Sequence, residues 1–331
     1  DTELVRRDMW KMYNNLAETD LQMAAIIQQL KDDGLYDNTI IVFYSDHGGP
    51  LPRQKRLIYD SGLKVPMIIR FPGAKNAGTV DDQLISFIDF APTTLALADI
   101  EKPAHMHGKN FIDNTIKREY IHAAADRFDG FTDAIRAVKN KRYKYIRNYR
   151  PKQGYYLPVA YREKIPTMQE LLRLKSEDKL NQYQAQWFRT SKPKEELFDT
   201  INDPHELHNL AQDPQYAEQV VKLSKEMDRW LAEIGDSPNL PERQLIDNIW
   251  QGKQEQSITS APLISFKQGT ITLSCETPGA TIAYKEIING QEAKIWQAYH
   301  GSFIIKEGVE ILAIAHRIGY KESNMVKFKS I

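Results

Sequence analysis

Asp46 and His47 put a carboxylate and an imidazole on adjacent residues, inside the stretch Ser45-Asp46-His47-Gly48-Gly49-Pro50-Leu51-Pro52-Arg53-Gln54-Lys55-Arg56. A hard oxygen donor beside a nitrogen donor can bind a divalent cation if a turn aims both side chains the same way. Gly48 and Gly49 permit a close turn and a near approach of ligand. Arg53, Lys55 and Arg56 follow at once. The same loop therefore offers positive charge to a tetrahedral oxyanion next to the metal-ligand pair. The competing reading is a polar turn with a solvated face, because Asp, Gly and Pro favour turns.

The flanking elements must position that loop. Met9, Tyr13, Leu16, Met23, Ile27 and Leu30 step by three, four or seven, which predicts a long amphipathic helix ending at Asp33-Gly34. Thr39-Ile40-Ile41-Val42-Phe43-Tyr44 has the near-continuous β-branched character of a strand buried on both faces, and Val65 to Phe71 repeats it after the loop. Helix, strand, loop, strand is the order of an α/β sheet, in which sites form at the carboxyl ends of strands. Asp46 and His47 fall at such an end.

Further along, Pro92 suits the first turn of a short helix through Leu97. Runs at Glu119–Ala124, Ala134–Lys139 and Tyr143–Arg147 predict an antiparallel meander. Thr167–Phe188 is polar and helix-prone, and Tyr216–Ile234 reads as a helix. Gly235 to Pro262 is rich in Ser, Pro, Gln and Asn and reads as a linker with an apolar patch at Leu245–Trp250. Beyond it the period changes to two, predicting strands at Thr270–Ser274, Thr281–Tyr284, Phe303–Ile305 and Glu310–Ala315 in a small all-β sandwich.

Among 331 residues, Lys plus Arg equals Asp plus Glu at 44 each, so no global field points to nucleic acid. Cys275 is the only cysteine, which excludes an internal disulfide and a cysteine-cluster metal site. No apolar run reaches the length of about 18 residues that a membrane span needs, so none is expected.

The order Leu35-Tyr36-Asp37-Asn38-Thr39, strand, Ser45-Asp46-His47-Gly48, Lys55, Tyr59-Asp60-Ser61-Gly62, Val65-Pro66 and Phe71-Pro72-Gly73 resembles the type I, formylglycine-dependent sulfatases of the alkaline phosphatase superfamily. Asp89-Phe90-Ala91-Pro92-Thr93-Thr94-Leu95, Arg136-Ala137-Val138, Tyr143-Lys144-Tyr145-Ile146 and Glu196-Leu197-Phe198-Asp199 extend the match, as do Asp203-Pro204 and Asn209-Leu210-Ala211. The terminal run Thr277 to Tyr284, Tyr299 to Phe303 and Ala313 to Ser323 is similar to the β-domains of chitobiase and β-hexosaminidase-type enzymes.

The resemblance implies an α/β fold: residues 1–115 as the carboxyl-terminal part of an alkaline-phosphatase-like core, 116–235 as a smaller antiparallel sheet and helix subdomain, 236–261 as linker, and 262–331 as a β-sandwich accessory domain. It implies that Asp46 and His47 bind a divalent metal, usually calcium. Imidazole also suits manganese or zinc. Lys55 matches the lysine that stabilises charge on the leaving oxygen, and Arg53 and Arg127 are candidate substrate contacts. The implied activity is hydrolysis of sulfate esters, or of N-sulfate, on a sulfated glycan.

The Cys/Ser-x-Pro-x-Arg motif that supplies the formylglycine nucleophile does not occur in the sequence. Cys275 lies in Ser274-Cys275-Glu276-Thr277-Pro278, with the wrong spacing and no matching arginine. The nucleophile is therefore expected from an amino-terminal sulfatase half, and this chain is expected to be inactive alone. Two alternatives are a phosphodiesterase or phosphonate monoester hydrolase of the same superfamily, and a non-catalytic glycan-binding or scaffold protein. A periplasmic or extracellular location is expected.

Overall fold

A computed structural model describes residues 1–113, 117–128 and 130–330. The chain divides into two compact units, Asp1–Asn239 and Leu240–Ile331.

The first unit opens with helix α1 (Glu3–Asp32), capped by Thr2, whose hydroxyl accepts from the Val5 amide at 3.4 Å. Gly34, at φ +68°, turns the chain off the helix end, where a side chain would be strained. The predicted helix is there and begins earlier than the apolar period. None of its residues is buried, and Tyr13 and Leu16 on the predicted face are exposed.

Strand β1 (Ile41–Tyr44) pairs antiparallel with β2 (Met67–Arg70), with the short helix α2 (Asp60–Leu63) between them. Burial on both faces was expected of β1, and here the structure differs. Val42 and Tyr44 are 44% and 45% exposed and Ile68 on β2 is 63% exposed. The physical reason is that these two strands pair only with each other, and the β-branched run marks a covered strand only if something covers it. The Arg70 guanidinium donates to the Tyr36 carbonyl at 2.7 Å, tying β2 to the turn before β1. Helix α3 (Phe90–Leu97) follows, as its proline predicts.

Strands β3 (Ile121–Phe128), β4 (Phe131–Lys139) and β5 (Tyr143–Asn148) form the expected meander. After helices α4 (Ala160–Glu163), α5 (Pro166–Ser176) and α6 (Gln182–Trp187), strand β6 (Glu195–Asp199) adds a fourth antiparallel member beside β5. Strand alternation then sorts the core. Ala137, Ile146 and Phe198 pack with Leu57, Ile58 and Tyr59 on one face. Val138, Tyr145 and Leu197 pack on the other with Leu223 and Met227 of helix α7 (Ala217–Ile234). This sheet is covered on both sides. Each of its buried aliphatic side chains contributes roughly 1.5–3 kcal/mol relative to exposure.

Helix α1 is fastened to α5 by one carboxylate. Asp8 accepts from the amide and hydroxyl of Thr167, at 2.7 and 2.6 Å, satisfying a donor in the first turn of α5.

The second unit begins with helix α8 (Glu242–Ile249), within the stretch read as a linker. Strands β7 (Leu263–Lys267), β8 (Thr270–Ser274), β9 (Thr281–Ile288), β10 (Gln291–Glu292), β11 (Gln297–Ala298), β12 (Phe303–Ile304), β13 (Glu310–His316) and β14 (Val326–Lys329) complete it. They form two antiparallel sheets: β12-β8-β7, and β10-β9-β13-β14 with β11 also on β9. Ile271 and Leu273 from the first sheet share a core with Ile311 and Ala313 from the second. Asn289-Gly290, at φ +50° and +77°, makes the tight turn between β9 and β10. The molecule is thus mixed α/β with antiparallel sheets.

Candidate active site

Chain direction at the end of β1 places Ser45, Asp46 and His47 where the strand stops alternating. The Ser45 hydroxyl donates to the His47 carbonyl at 2.7 Å, closing the turn. The Asp46 side chain is 81% exposed. His47 Nδ1 lies 2.8 Å from the Gly48 carbonyl, which can only accept, so Nδ1 carries a hydrogen. In the neutral ring Nε2 is then a lone pair, and it sits 3.4 Å from Asp46 Oδ2. At that distance both atoms can offer an electron pair to one cation. The pair therefore fits part of a divalent cation's shell, a carboxylate oxygen and the imidazole nitrogen opposite a fixed Nδ1 hydrogen. No group of three or more His, Cys, Asp or Glu side chains is placed to hold a metal among the described residues.

Lys55 reaches the same place through a tightly folded loop. The Gly48 amide donates to the Gly62 carbonyl at 2.9 Å and the Lys55 amide to the Gly49 carbonyl at 3.2 Å. A Cβ on Gly48 would stand 1.8 Å from the Ser61 carbonyl oxygen, and one on Gly62 would stand 2.4 Å from two carbonyl oxygens. Only glycine fits either position. Arg53 and Arg56, flanking this lysine, are both left-handed, at φ +64° and +74°. Such conformations cost about 1–3 kcal/mol each and persist only where the surroundings hold them.

The surroundings are a buried charge network. Lys144, 2% exposed on its side chain, contacts Asp60 at 2.5 Å and Glu206 at 2.7 Å and donates to the Ile58 carbonyl at 3.2 Å. Lys139 pairs with the same Asp60, and Glu206 accepts from the Asp60 amide at 2.5 Å. Burial alone would raise the Asp60 carboxyl, but Lys144 and Lys139 outweigh it and hold it below the usual range. Burial pushes the Glu206 carboxyl up. Strands β4 and β5 and the 205–206 turn thereby grip the loop from behind.

Asp46, His47 and Lys55 line one cleft of about 890 Å³, together with Lys64, Tyr161 and Arg162. Leu16 and Thr19 of α1 and Ile165 complete its walls. The structure thus brings the expected metal pair and the expected lysine together. Arg53 lies elsewhere: its guanidinium donates to the carbonyls of His205 and Glu206, at 2.7 and 2.8 Å, and stacks 3.9 Å over Tyr59. Arg127, exposed on β3, is not among the residues lining the cleft. His122 is engaged by Glu226 at 2.9 Å and stacked on Trp230, as a satisfied histidine should be. Cys275, in the second unit, donates to the Ser260 carbonyl at 3.2 Å.

Lys64, Tyr161 and Arg162 are cleft residues that sequence reasoning did not select. Lys64 stands in the run Tyr59–Pro66, which signals the next strand and not a ligand. Tyr161 and Arg162 follow a turn more than a hundred residues along the chain, with no motif of their own.

Residues 4–100 match the family profile described as "Sulfatase", and residues 53–160 match "N-sulphoglucosamine sulphohydrolase, C-terminal". The chain is sulfatase-like. It is 57% identical over 333 aligned positions to an ulvan-active sulfatase of Formosa agariphila, covering 100% of this chain and 56% of that relative. It is 30% identical to an endo-4-O-sulfatase of Bacteroides thetaiotaomicron, over 72% of this chain and 44% of the relative. Human N-sulphoglucosamine sulphohydrolase is 25% identical, over 71% of this chain and 50% of its own. The sulfatase-like chain spans about half the length of the curated relatives it matches. These relatives do not favour the phosphodiesterase or phosphonate hydrolase reading.

Proposed function

We propose that this chain carries the metal-contacting and leaving-group half of a sulfatase that hydrolyses sulfate esters, or N-sulfate, on a sulfated glycan. The observation that supports this reading most is the convergence of Asp46, His47 and Lys55 on one cleft, in a chain so similar to an ulvan-active sulfatase. Asp46 and His47 would hold the divalent metal. Calcium is the proposed ion, with manganese or zinc admitted by the imidazole. When bound it would supply Lewis-acid polarisation of the sulfuryl oxygens.

Lys55 has no ion-pair partner among the described residues, so its ammonium can face the leaving oxygen as negative charge grows there. Gly48, Gly62 and the Lys144 network hold the backbone of the loop that carries Lys55. Arg53 serves the same end by fixing the loop to the 205–206 turn, and the direct-contact role proposed for it and for Arg127 has no support from the cleft. The nucleophile is assigned to a companion segment, the amino-terminal sulfatase half, because no Cys/Ser-x-Pro-x-Arg occurs here. The exposed apolar residues Val42, Tyr44 and Ile68 give that segment a surface to cover. Within the same reading, residues 1–115 and 116–235 are the core and smaller sheet of the sulfatase, and 262–331 is a chitobiase-type accessory domain. A polymeric sulfated glycan is met outside the cytoplasm, which favours a periplasmic or extracellular site of action. No helix among the described residues is long and apolar enough to cross a membrane.

The test is sulfate release from ulvan and from glycosaminoglycan oligosaccharides by the complete protein. Lys55→Ala should lower kcat by about 10²-fold or more, the usual effect of deleting one preorganised charge stabiliser. Chelation should abolish release, and the added ion that restores it identifies the metal. Unchanged turnover in Lys55→Ala would remove this assignment, and turnover by residues 1–331 alone would remove the companion segment.

A further inference from the structure

The charge of the cleft exceeds what one sulfate needs. Among its lining residues Lys55, Lys64 and Arg162 are cationic, and Asp46 is the only carboxylate. Lys55 is committed to the leaving oxygen and Asp46 to the metal under the proposed function. Lys64 remains. It follows helix α2 directly, is exposed, and has no ion-pair partner among the described residues. A lysine left without a counter-charge inside a cleft attracts a second anion from whatever binds there.

The same cleft is lined by an aromatic side chain that the fold leaves exposed. Leu157, Val159 and Arg162 around it are 9%, 5% and 7% exposed, whereas Tyr161 is 44% exposed. The segment is closed by backbone hydrogen bonds: the Arg162 and Glu163 amides both donate to the Val159 carbonyl, at 2.9 and 3.1 Å, and the Ile165 amide to the Arg162 carbonyl at 3.0 Å. The Arg56 guanidinium lies 4.9 Å from the Tyr161 ring centre, coupling this wall to the loop that carries Lys55. An aromatic face displayed in a polar cleft stacks on the apolar face of a pyranose.

We infer that Lys64 and Tyr161 form a second subsite, which receives a negatively charged sugar adjoining the sulfated one, bearing either a uronate carboxylate or a further sulfate. The inference rests on the proposed function and adds to it a residue pair that sets specificity. Tyr161 recognises the ring and Lys64 its charge. Arg162, whose guanidinium lies 5.3 Å from the Trp187 ring centre, backs the wall from inside.

The experiment uses the complete protein and three disaccharides with the same scissile sulfate. The neighbouring sugar is a uronate in the first, carries a sulfate in the second, and has its carboxyl reduced to a neutral hydroxymethyl in the third. Wild type should show a lower KM for the charged substrates. Lys64→Ala should shrink that preference by about tenfold or more, the scale of a lost charge-assisted hydrogen bond. Tyr161→Ala should raise KM on all three, and Tyr161→Phe should behave as wild type, because the ring face and not the hydroxyl is used. Loss of preference for one charged substrate alone identifies that anion as the source. An undiminished preference in Lys64→Ala, or Tyr161→Ala with wild-type KM values, overturns the subsite.

Absence of sulfate release from every substrate by wild type would defeat the proposed function instead. Calorimetric binding then decides the subsite separately. A preference for the uronate disaccharide over its neutral analogue that Lys64→Ala removes supports it, and equal binding of the two by wild type overturns it.

Discussion

The two sheets of the first unit are both antiparallel, yet they live in different surroundings. In the four-stranded sheet β3-β4-β5-β6, Val138, Tyr145, Ile146 and Leu197 are completely buried, with the 57–59 segment on one face and α7 on the other. The pair β1-β2 buries none of its residues, and Val42, Tyr44 and Ile68 face solvent. The candidate site is built across both: Asp46 and His47 continue β1, while the Lys55 loop is gripped from β4 and β5. Thus the cation that would stabilise a leaving group stands on the packed side, and the metal pair stands on the bare side. Packing is therefore dense behind the Lys55 loop and sparse beside Asp46 and His47, where the proposed companion segment would add its ligands and nucleophile.

The sharpest way to break the packed side is Lys144→Ala. It leaves Asp60 and Glu206 as buried carboxylates short of a partner, and removing one member of such a network costs about 3–5 kcal/mol. Calorimetry should show a matching fall in the first unit's transition. Next comes Gly48→Ala, whose new methyl would collide with the Ser61 carbonyl. The loop must shift by about an ångström, which should reduce sulfate release by roughly 10²-fold while circular dichroism stays near wild type.

A smaller effect reads the packed side through pH. Glu196, hydrogen-bonded by Asn148 at 2.8 Å and by Tyr155, is pushed up by burial from the ordinary 4.5 to about 7. Between those values the folded state binds the extra proton, so this group's contribution is full at the acid end and is lost as pH rises through about 7. Melting temperatures at pH 5 and pH 8 should differ less in Glu196→Gln than in wild type.

The smallest effect belongs to the bare sheet. In residues 1–331 alone, Ile68→Ser should change stability by no more than about 0.5 kcal/mol, because the side chain is already 63% exposed. In the complete protein the same change should cost several times more, if the companion segment covers β1-β2. Equal costs in the two contexts, measured by denaturant titration, would show that nothing packs on this face.

Much of the candidate site was legible in the chain order itself. Asp46, His47 and Lys55 belong to one short loop, so residue type nominated the loop, the family resemblance singled out Lys55 within it, and local periodicity gave α1, α7, the meander and four strands of the sandwich. Strand β6 escaped because Glu195–Asp199 is short and reads only as a mixed polar and apolar run until β5 pairs with it. Arg53 and Lys55 look equivalent in sequence, being cations two residues apart. Their fates differ because the backbone at Arg53 turns its side chain toward the carbonyls of His205 and Glu206, while Lys55 lines the cleft.

What the sequence by itself determined is therefore local: which ionisable side chains the loop holds, where helices start and stop, and which turns need glycine. What the tertiary structure alone decided is which distant residues stand behind and opposite that loop. Lys144 and Glu206 come from far along the chain to meet Asp60, and Tyr161 comes from α4 to line the same cleft as Lys64. No periodicity marks such meetings. A buried ion network and a cleft wall depend on which surfaces close on one another, and that closure is set by the whole of the packing.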